Sequence, residues 1–337
     1  LIEKCSRRAF MGAMLSVVGA SAAPQKRKKK TCLVIHGGAG TILRRNLSAA
    51  LENAYHQTLR QALATGHAIL QKGGPSLDAV EQTIRVLEDS PLFNAGKGAV
   101  FNSRGEHELD ASIMDGRTLM AGAVAAVTGL KNPITAARAV LEKTPHVMLI
   151  GRGAEEFARA QGLEFAPPEY FYEERRWRQF EEAREKDKTA LDHTPAASPD
   201  EKFGTVGAVA LDQMGNLAAG TSTGGMTNKK FGRVGDPIIG AGTYASNQSC
   251  AVSGTGHGEY FIRATAARDV AALMEYQGWS VRRAAAAVIR KIGHLGGTGG
   301  IIALDARGNL AMPFNTPGMY RGVIQSNREP QTSIFKD

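Results

Sequence analysis

Glycine is set along this chain in clusters that interrupt short apolar runs, and that placement constrains the fold more than any other feature. The clusters are HGGAG at 36–40, GTSTGG at 220–225, GTGHG at 254–258 and GGTGG at 296–300. Each borders a stretch of strand length, such as TCLVIH at 31–36 or VGAVAL at 206–211. Glycine at a strand end lets backbone approach a ligand or another segment closely. Several loops at strand ends therefore converge on one site.

The remaining pattern alternates helices and strands. Helix-spaced apolar positions mark 46–72, 76–89 (Ser76 as its cap), 133–143, 154–161, 258–276 and 280–291. Strands are expected at 99–101, at 108–114 paired with 121–127, at 206–211, 217–222 and 251–254, and in a last hairpin of 301–304 with 310–314. The repeat ALDQMGNLA (210–218) and ALDARGNLA (303–311) reads as two strand–turn–strand units, so the second half is rich in antiparallel sheet. Stacked sheets covered by helices follow, an α/β architecture.

Residues 1–30 carry eight Lys/Arg against the single acid Glu3, which leaves the other 307 residues only two charges from neutrality although the whole chain is +9. A near-neutral body with 6% aromatics argues against nucleic-acid binding. Within this segment SRRAFM (6–11), a weakly apolar stretch and the small residues 20–23 form a twin-arginine-type export pattern, with a cytoplasmic location as the alternative. The stretch is too short for a membrane anchor. Cys5, Cys32 and Cys250 make no disulfide framework. Residues 172–204, charged and then proline-bearing, are expected to be a mobile linker and the clearest internal boundary, with a solvated helix as the alternative for the charged part at 170–188.

Directly after that boundary stands Gly204-Thr205, at the head of an apolar run. A threonine hydroxyl is a poor nucleophile unless a base takes its proton, and a free α-amine of pKa about 7.7–8.0 suits that role. Inside a continuous chain the amine is an amide, so the chemistry requires scission of the Gly204–Thr205 bond. Glycine at 204 permits the backbone distortion involved.

The ordered set HGGAG, PLFNAGKGAVF (91–101), GTVGAVALD (204–212), TSTGGMTNK (221–229), GRVGD (232–236) and SGTGHGE (253–259) resembles the isoaspartyl peptidases and plant-type L-asparaginases of the N-terminal-nucleophile hydrolase superfamily. The resemblance runs from about 31 to 320. It implies a four-layer αββα sandwich of two stacked, largely antiparallel sheets. It further implies an α part (31–204) and a β part (205–337) of one domain, assembled as (αβ)2. By resemblance Thr205 is the nucleophile, Thr223 orients it, and Thr255 with Gly256 forms the oxyanion hole. Arg233 and Asp236 grip the substrate's α-carboxylate and α-ammonium, Gly258 contacts the same head group through its backbone, and Asn94 assists near the nucleophile. LEDSPLFNAGK (87–97) resembles a loop that binds a structural sodium ion through Leu87, Glu88, Ser90, Phe93, Ala95 and Lys97, mostly by main-chain oxygens. No cofactor is implied for catalysis. The substrates implied are L-asparagine and β-aspartyl dipeptides. GRVGDPIIG is one residue shorter than the family's common form after Asp236, which leaves the preference between them open.

Rival readings start from the same residues. A glycosylasparaginase-like activity on glycan-linked asparagine is disfavoured by Gly204 and by GGMTNK. An exported amino-acid-binding protein would use Arg233 and Asp236 without turnover and would stay uncut. GTSTG (220–224) fits a serine nucleophile elbow only if a helix follows Ser222.

Overall fold

The computed structural model describes residues 30–186, 204–326 and 328–336. The expected export segment, apart from Lys30, and residues 187–203 of the expected linker lie outside them. In chain order the first half contains β1 (Cys32–Gly40), α1 (Ala49–Gln71), α2 (Ser76–Glu88), β2 (Leu109–Asp115) and β3 (Ala121–Val127). It continues with α3 (Pro133–Lys143), β4 (Met148–Ile150), α4 (Gly151–Ala160), α5 (Pro168–Phe171) and α6 (Glu174–Glu185). After the break come β5 (Val206–Leu211), β6 (Leu217–Thr223), β7 (Thr243–Ala245), β8 (Cys250–Gly256) and α7 (Gly258–Ala264). The chain ends with α8 (Ala266–Gln277), α9 (Val281–His294), β9 (Gly299–Asp305), β10 (Leu310–Ala311), β11 (Gly318–Gln325) and β12 (Gln331–Phe335).

These strands build an eight-stranded sheet ordered β12-β11-β1-β5-β6-β2-β3-β4 and a four-stranded sheet ordered β10-β9-β8-β7. The β3–β4 pair is parallel and the other pairs are antiparallel. Side chains alternate faces along a strand, so a strand buried on both faces reads as an unbroken apolar run. In β1, Leu33 and Ile35 pack with α1 and α2, whereas Cys32 and Val34 face the second sheet. In β9, Ile301 and Ala303 pack with α8 and α9, whereas Ile302 and Leu304 face the large sheet. Three apolar layers thus separate helices, sheet, sheet and helices, which is the αββα order.

The charged segment before the break does not behave as the expected linker. Residues 174–185 are helical and docked, with Arg176, Phe180 and Ala183 buried at spacings of four and three. Phe180 and Trp177 pack against Phe101, and Arg176 Nε donates to Gly98 O at 2.9 Å. The expected strand at 99–101 is instead irregular, with an isolated bridge beside it between Asn102 and Lys229 and a backbone hydrogen bond from Asn228 N–H to Phe101 O at 2.8 Å. Ser76 does not cap α2 with its hydroxyl; the Asp212 carboxylate accepts from its backbone N–H at 3.1 Å. The helix expected over 258–276 is broken at Thr265, whose φ is +45°.

Candidate active site

Positions of one parity in the central strands face the gap between the sheets, and along each strand that gap changes from apolar to hydroxyl-bearing. On β6 the inward series runs Leu217, Ala219, Thr221, Thr223; on β8 it runs Ala251, Ser253, Thr255. Thr205 precedes β5 on the same face. The polar ends of these strands lie together, and the site is built there.

Thr205 is 6% exposed. Its Oγ1 lies 3.0 Å from Thr223 Oγ1 and 3.0 Å from Asp236 Oδ2. Asp236 Oδ2 also accepts from the backbone N–H of Gly256 at 3.1 Å, while Oδ1 is buried without a partner. Burial raises the Asp236 carboxyl to about 7, with the Arg233 guanidinium and the Thr205 hydrogen bond pulling the other way. Thr255 Oγ1, also buried, has no partner either. Buried polar atoms are nearly always paired, so these two unpartnered atoms are places where a polar ligand could bind.

The Arg233 guanidinium is held by a two-point contact with the Glu259 carboxylate, both bonds at 2.9 Å. A methyl group on Gly258 would lie 2.7 Å from Arg233 Nη2 and 2.8 Å from Asp236 Oδ1, so this glycine leaves room for both side chains. The segment after Thr223 is fixed from outside. Asn94 donates from Nδ2 to Gly225 O at 2.8 Å and accepts from Val100 N–H at 3.0 Å. Its amide therefore braces the turn after Thr223 instead of pointing at the nucleophile. Lys229 is buried; it donates to Glu108 O at 2.8 Å and lies 3.8 Å from Asp110 Oδ2, which also accepts from Gly235 N–H. Neither Lys229 nor Asp110 carries a role in the sequence reading, yet together they tie the Arg233–Asp236 loop to β2. Ser222 lies within β6, donates to Glu88, and is followed by a loop, so a serine elbow is excluded.

A family model described as asparaginase matches residues 29–334. The chain belongs to the asparaginase family. Its two stacked sheets between helical layers are the N-terminal-nucleophile hydrolase fold that this family shares. The chain is 53% identical over 311 residues to the isoaspartyl peptidase of Escherichia coli, covering 91% of this chain and 97% of that protein. It is 51% identical to the isoaspartyl peptidase of Salmonella typhimurium, covering 91% and 99%. It is also 44% identical to the isoaspartyl peptidase/L-asparaginase of Bos taurus, covering 85% and 91%.

The asparaginase-family motif HGGAG gains a physical meaning from the contacts around it. A methyl on Gly37 would lie 2.3 Å from the Phe93 ring, and one on Gly38 would lie 2.4 Å from the backbone nitrogen of Gly204. Gly38 also has φ +112°, a conformation open to glycine and costly for other residues. The residue before Thr205 is thus packed against a bare glycine. Gly38→Ala is expected to push the Gly204–Thr205 bond out of place and slow any scission there at least about tenfold, the scale set by misplacing reacting atoms by a fraction of an ångström. A time course of fragment appearance on denaturing gels checks this; an unchanged rate contradicts it.

Proposed function

We propose that this asparaginase-family hydrolase cuts its own chain before Thr205 and then releases L-aspartate from β-aspartyl dipeptides and L-asparagine. The single observation that carries the reading is the Thr205 hydroxyl, buried within hydrogen-bond reach of Thr223 and Asp236. In the uncut chain Thr205 Oγ attacks the Gly204 carbonyl carbon, and the C–N bond breaks to leave an ester and a free amine. Water then hydrolyses the ester to a Gly204 carboxylate and restores the hydroxyl. In turnover the freed amine takes the Oγ proton, Oγ attacks the substrate's side-chain carbonyl, and Thr255 and Gly256 stabilise the resulting oxyanion. The leaving amine or ammonia departs with the proton, and water releases aspartate from the acyl-enzyme.

Arg233 and Asp236 serve the amino-acid head group. A guanidinium matches a carboxylate in two-point geometry, and the contact of Arg233 Nε and Nη2 with Glu259 holds the group in place beside Asp236, which supports this role. The α-ammonium would lie against Asp236, whose Oδ1 lacks any other partner. In that pose Asp236 releases the Gly256 N–H for the oxyanion.

The loop around 87–97 suits a structural sodium ion. Methyls on Gly96 and Gly98 would collide with Glu88 O and Phe93 O, so glycine at these positions lets the main-chain oxygens of the loop pack close together. Leu87, Glu88, Ser90, Phe93, Ala95 and Lys97 would supply main-chain oxygens to a hard cation. The ion would brace the loop carrying Asn94 and take no part in the chemistry. Assembly as (αβ)2 and export through residues 1–30 belong to the same proposal, supported by the resemblance and by the arginine pair at 7–8.

The test is a kinetic comparison of L-asparagine with several β-aspartyl dipeptides on the purified protein. Aspartate release from both, with kcat/KM favouring one class, is the expected result. Binding without release would contradict hydrolysis and favour the amino-acid-binding alternative.

A further inference from the structure

Beneath Thr205, between the sheets, runs a file of buried polar side chains that the scheme above does not use. Ser112 Oγ lies 2.7 Å from Thr243 Oγ1, which lies 2.6 Å from Thr221 Oγ1. Thr221 Oγ1 lies 2.7 Å from Ser253 Oγ, and Ser253 Oγ lies 2.9 Å from His36 Nε2. The file ends where His36 Nδ1 stands 3.0 Å from the carbonyl oxygen of Thr205. The contributors sit on β2, β7, β6, β8 and β1, so every step crosses from one sheet to the other. All five side chains are fully buried.

The direction of the protons is fixed by counting them. A carbonyl oxygen only accepts, so Nδ1 carries the imidazole proton and Nε2 must accept. Ser253 spends its single proton on Nε2 and therefore accepts from Thr221 at 2.7 Å, nearer than the other acceptor beside Thr221, Gly242 O at 3.2 Å; Thr221 then accepts from Thr243, and Thr243 from Ser112. Burial drives His36 down to about 3, which keeps the ring neutral, as this sequence of donors requires. Hydrogen bonds aligned in one sense strengthen one another in a low-dielectric interior.

Two further observations place the end of the file at the nucleophile by design of the strands. The register of β5 ends at Gly207 against β1 and at Val206 against β6, so Thr205 stands past both ladders. A methyl on Gly207 would lie 2.0 Å from Ser253 Oγ and 2.4 Å from His36 Nε2, so a side chain there would break the file. Scission before Thr205 would make it a chain end, and chain ends fray unless something holds them.

We infer that His36 is a positioning residue for Thr205, clamping its carbonyl through Nδ1–H so that the amine and hydroxyl of the new chain end keep one orientation. This rests on Thr205 being the nucleophile, as proposed above. The clamp touches neither substrate nor the reacting atoms, so it acts on kcat and on the rate of scission and leaves KM nearly unchanged. A misplacement of the order of 1 Å costs about 10²-fold in rate, which sets the scale of its loss.

His36→Asn and His36→Gln separate the clamp from general packing. The asparagine amide nitrogen falls where Nδ1 stands and can still donate to Thr205 O, whereas the glutamine amide falls where Nε2 stands and reaches Ser253 alone. Scission rate, kcat and KM for L-asparagine, and thermal midpoint are measured for both beside the wild type. The glutamine variant is expected to lose about 10- to 10²-fold in scission rate and kcat with KM within about threefold, and asparagine to recover most of that loss at a similar thermal midpoint. If either variant fails to fold, Ser253→Ala, which removes the donor to Nε2, is expected to lower kcat by severalfold with KM unchanged. Equal losses in the asparagine and glutamine variants, a change confined to KM, or an unaltered kcat would overturn the inference. A wild type that neither cuts itself nor turns over would instead overturn the reading on which it rests.

Discussion

A Thr205→Ala chain is expected to run as one uncut band and to release no measurable aspartate. On the proposed mechanism the substitution removes the oxygen that attacks Gly204 and, with scission abolished, also withholds the amine that would activate a nucleophile. Both losses fall on one group, so they do not add separately; the drop in kcat is on the order of 10⁴-fold or more, as when any member of a cooperating catalytic set is removed. The fold is expected to survive. Thr205 lies past the ladders of β5, and the three apolar layers do not depend on its side chain. Thr205→Ser keeps the hydroxyl and retains part of both activities. Intact mass and an aspartate-release assay check the pair, and full activity in the alanine variant would refute the mechanism.

Arg233→Ala is expected to raise KM by about 10²- to 10³-fold with a smaller effect on kcat. Breaking a buried charge pair costs about 3–5 kcal/mol, and the lower part of that range applies because the Arg233 side chain keeps 17% exposure. Part of the loss is indirect. Burial raises the Asp236 carboxyl and Arg233 opposes that rise, so without the guanidinium the carboxyl moves above its value of about 7. At neutral pH the variant then holds Asp236 protonated, and the grip on the α-ammonium is lost with the grip on the α-carboxylate. The sign is clear: raising the pH ionises Asp236 and recovers part of the affinity, whereas lowering it makes binding worse. KM measured from pH 6 to 9 tests this. An unchanged KM would count against the role of Arg233, and a KM indifferent to pH would count against the coupling.

Most of the central frame was legible because buried strands and amphipathic helices leave periodic signals. Strands at 206–211 and 217–222, the 108–114/121–127 pair and helices at 133–143 and 280–291 all appear near their expected places. Short elements were not legible. Strands β4 and β7 have three residues each, too few for alternation to register, and nothing before Thr265 signals a left-handed residue between two helices. The charge of Glu174–Glu185 reads as a solvated helix or a linker, and its docking is hidden because its buried face includes Arg176, whose charge reads as solvent-facing until its bond to Gly98 O is seen.

The site divides in the same way. The ordered motifs single out Thr205, Thr223, Asp236 and Gly256, and hydrogen bonds join them in series, Thr223 to Thr205, Thr205 to Asp236 and Asp236 to the Gly256 N–H, with Arg233 beside Asp236. His36, Lys229 and Asp110 were not identified, because their importance lies in contacts across 169 and more positions or between strands distant in sequence. One clue was present: hydroxyl residues two apart, Thr221 with Thr223 and Ser253 with Thr255, lie on one face of a strand and mark the same gap.

On the proposed mechanism the bond before Thr205 breaks and the amine so freed is the catalytic base. The most direct measurement is intact mass together with N-terminal sequencing of purified, active protein. Two fragments are predicted, one ending at Gly204 and the other beginning at Thr205 with a free amine. An undivided chain that hydrolyses L-asparagine at full rate would contradict the account.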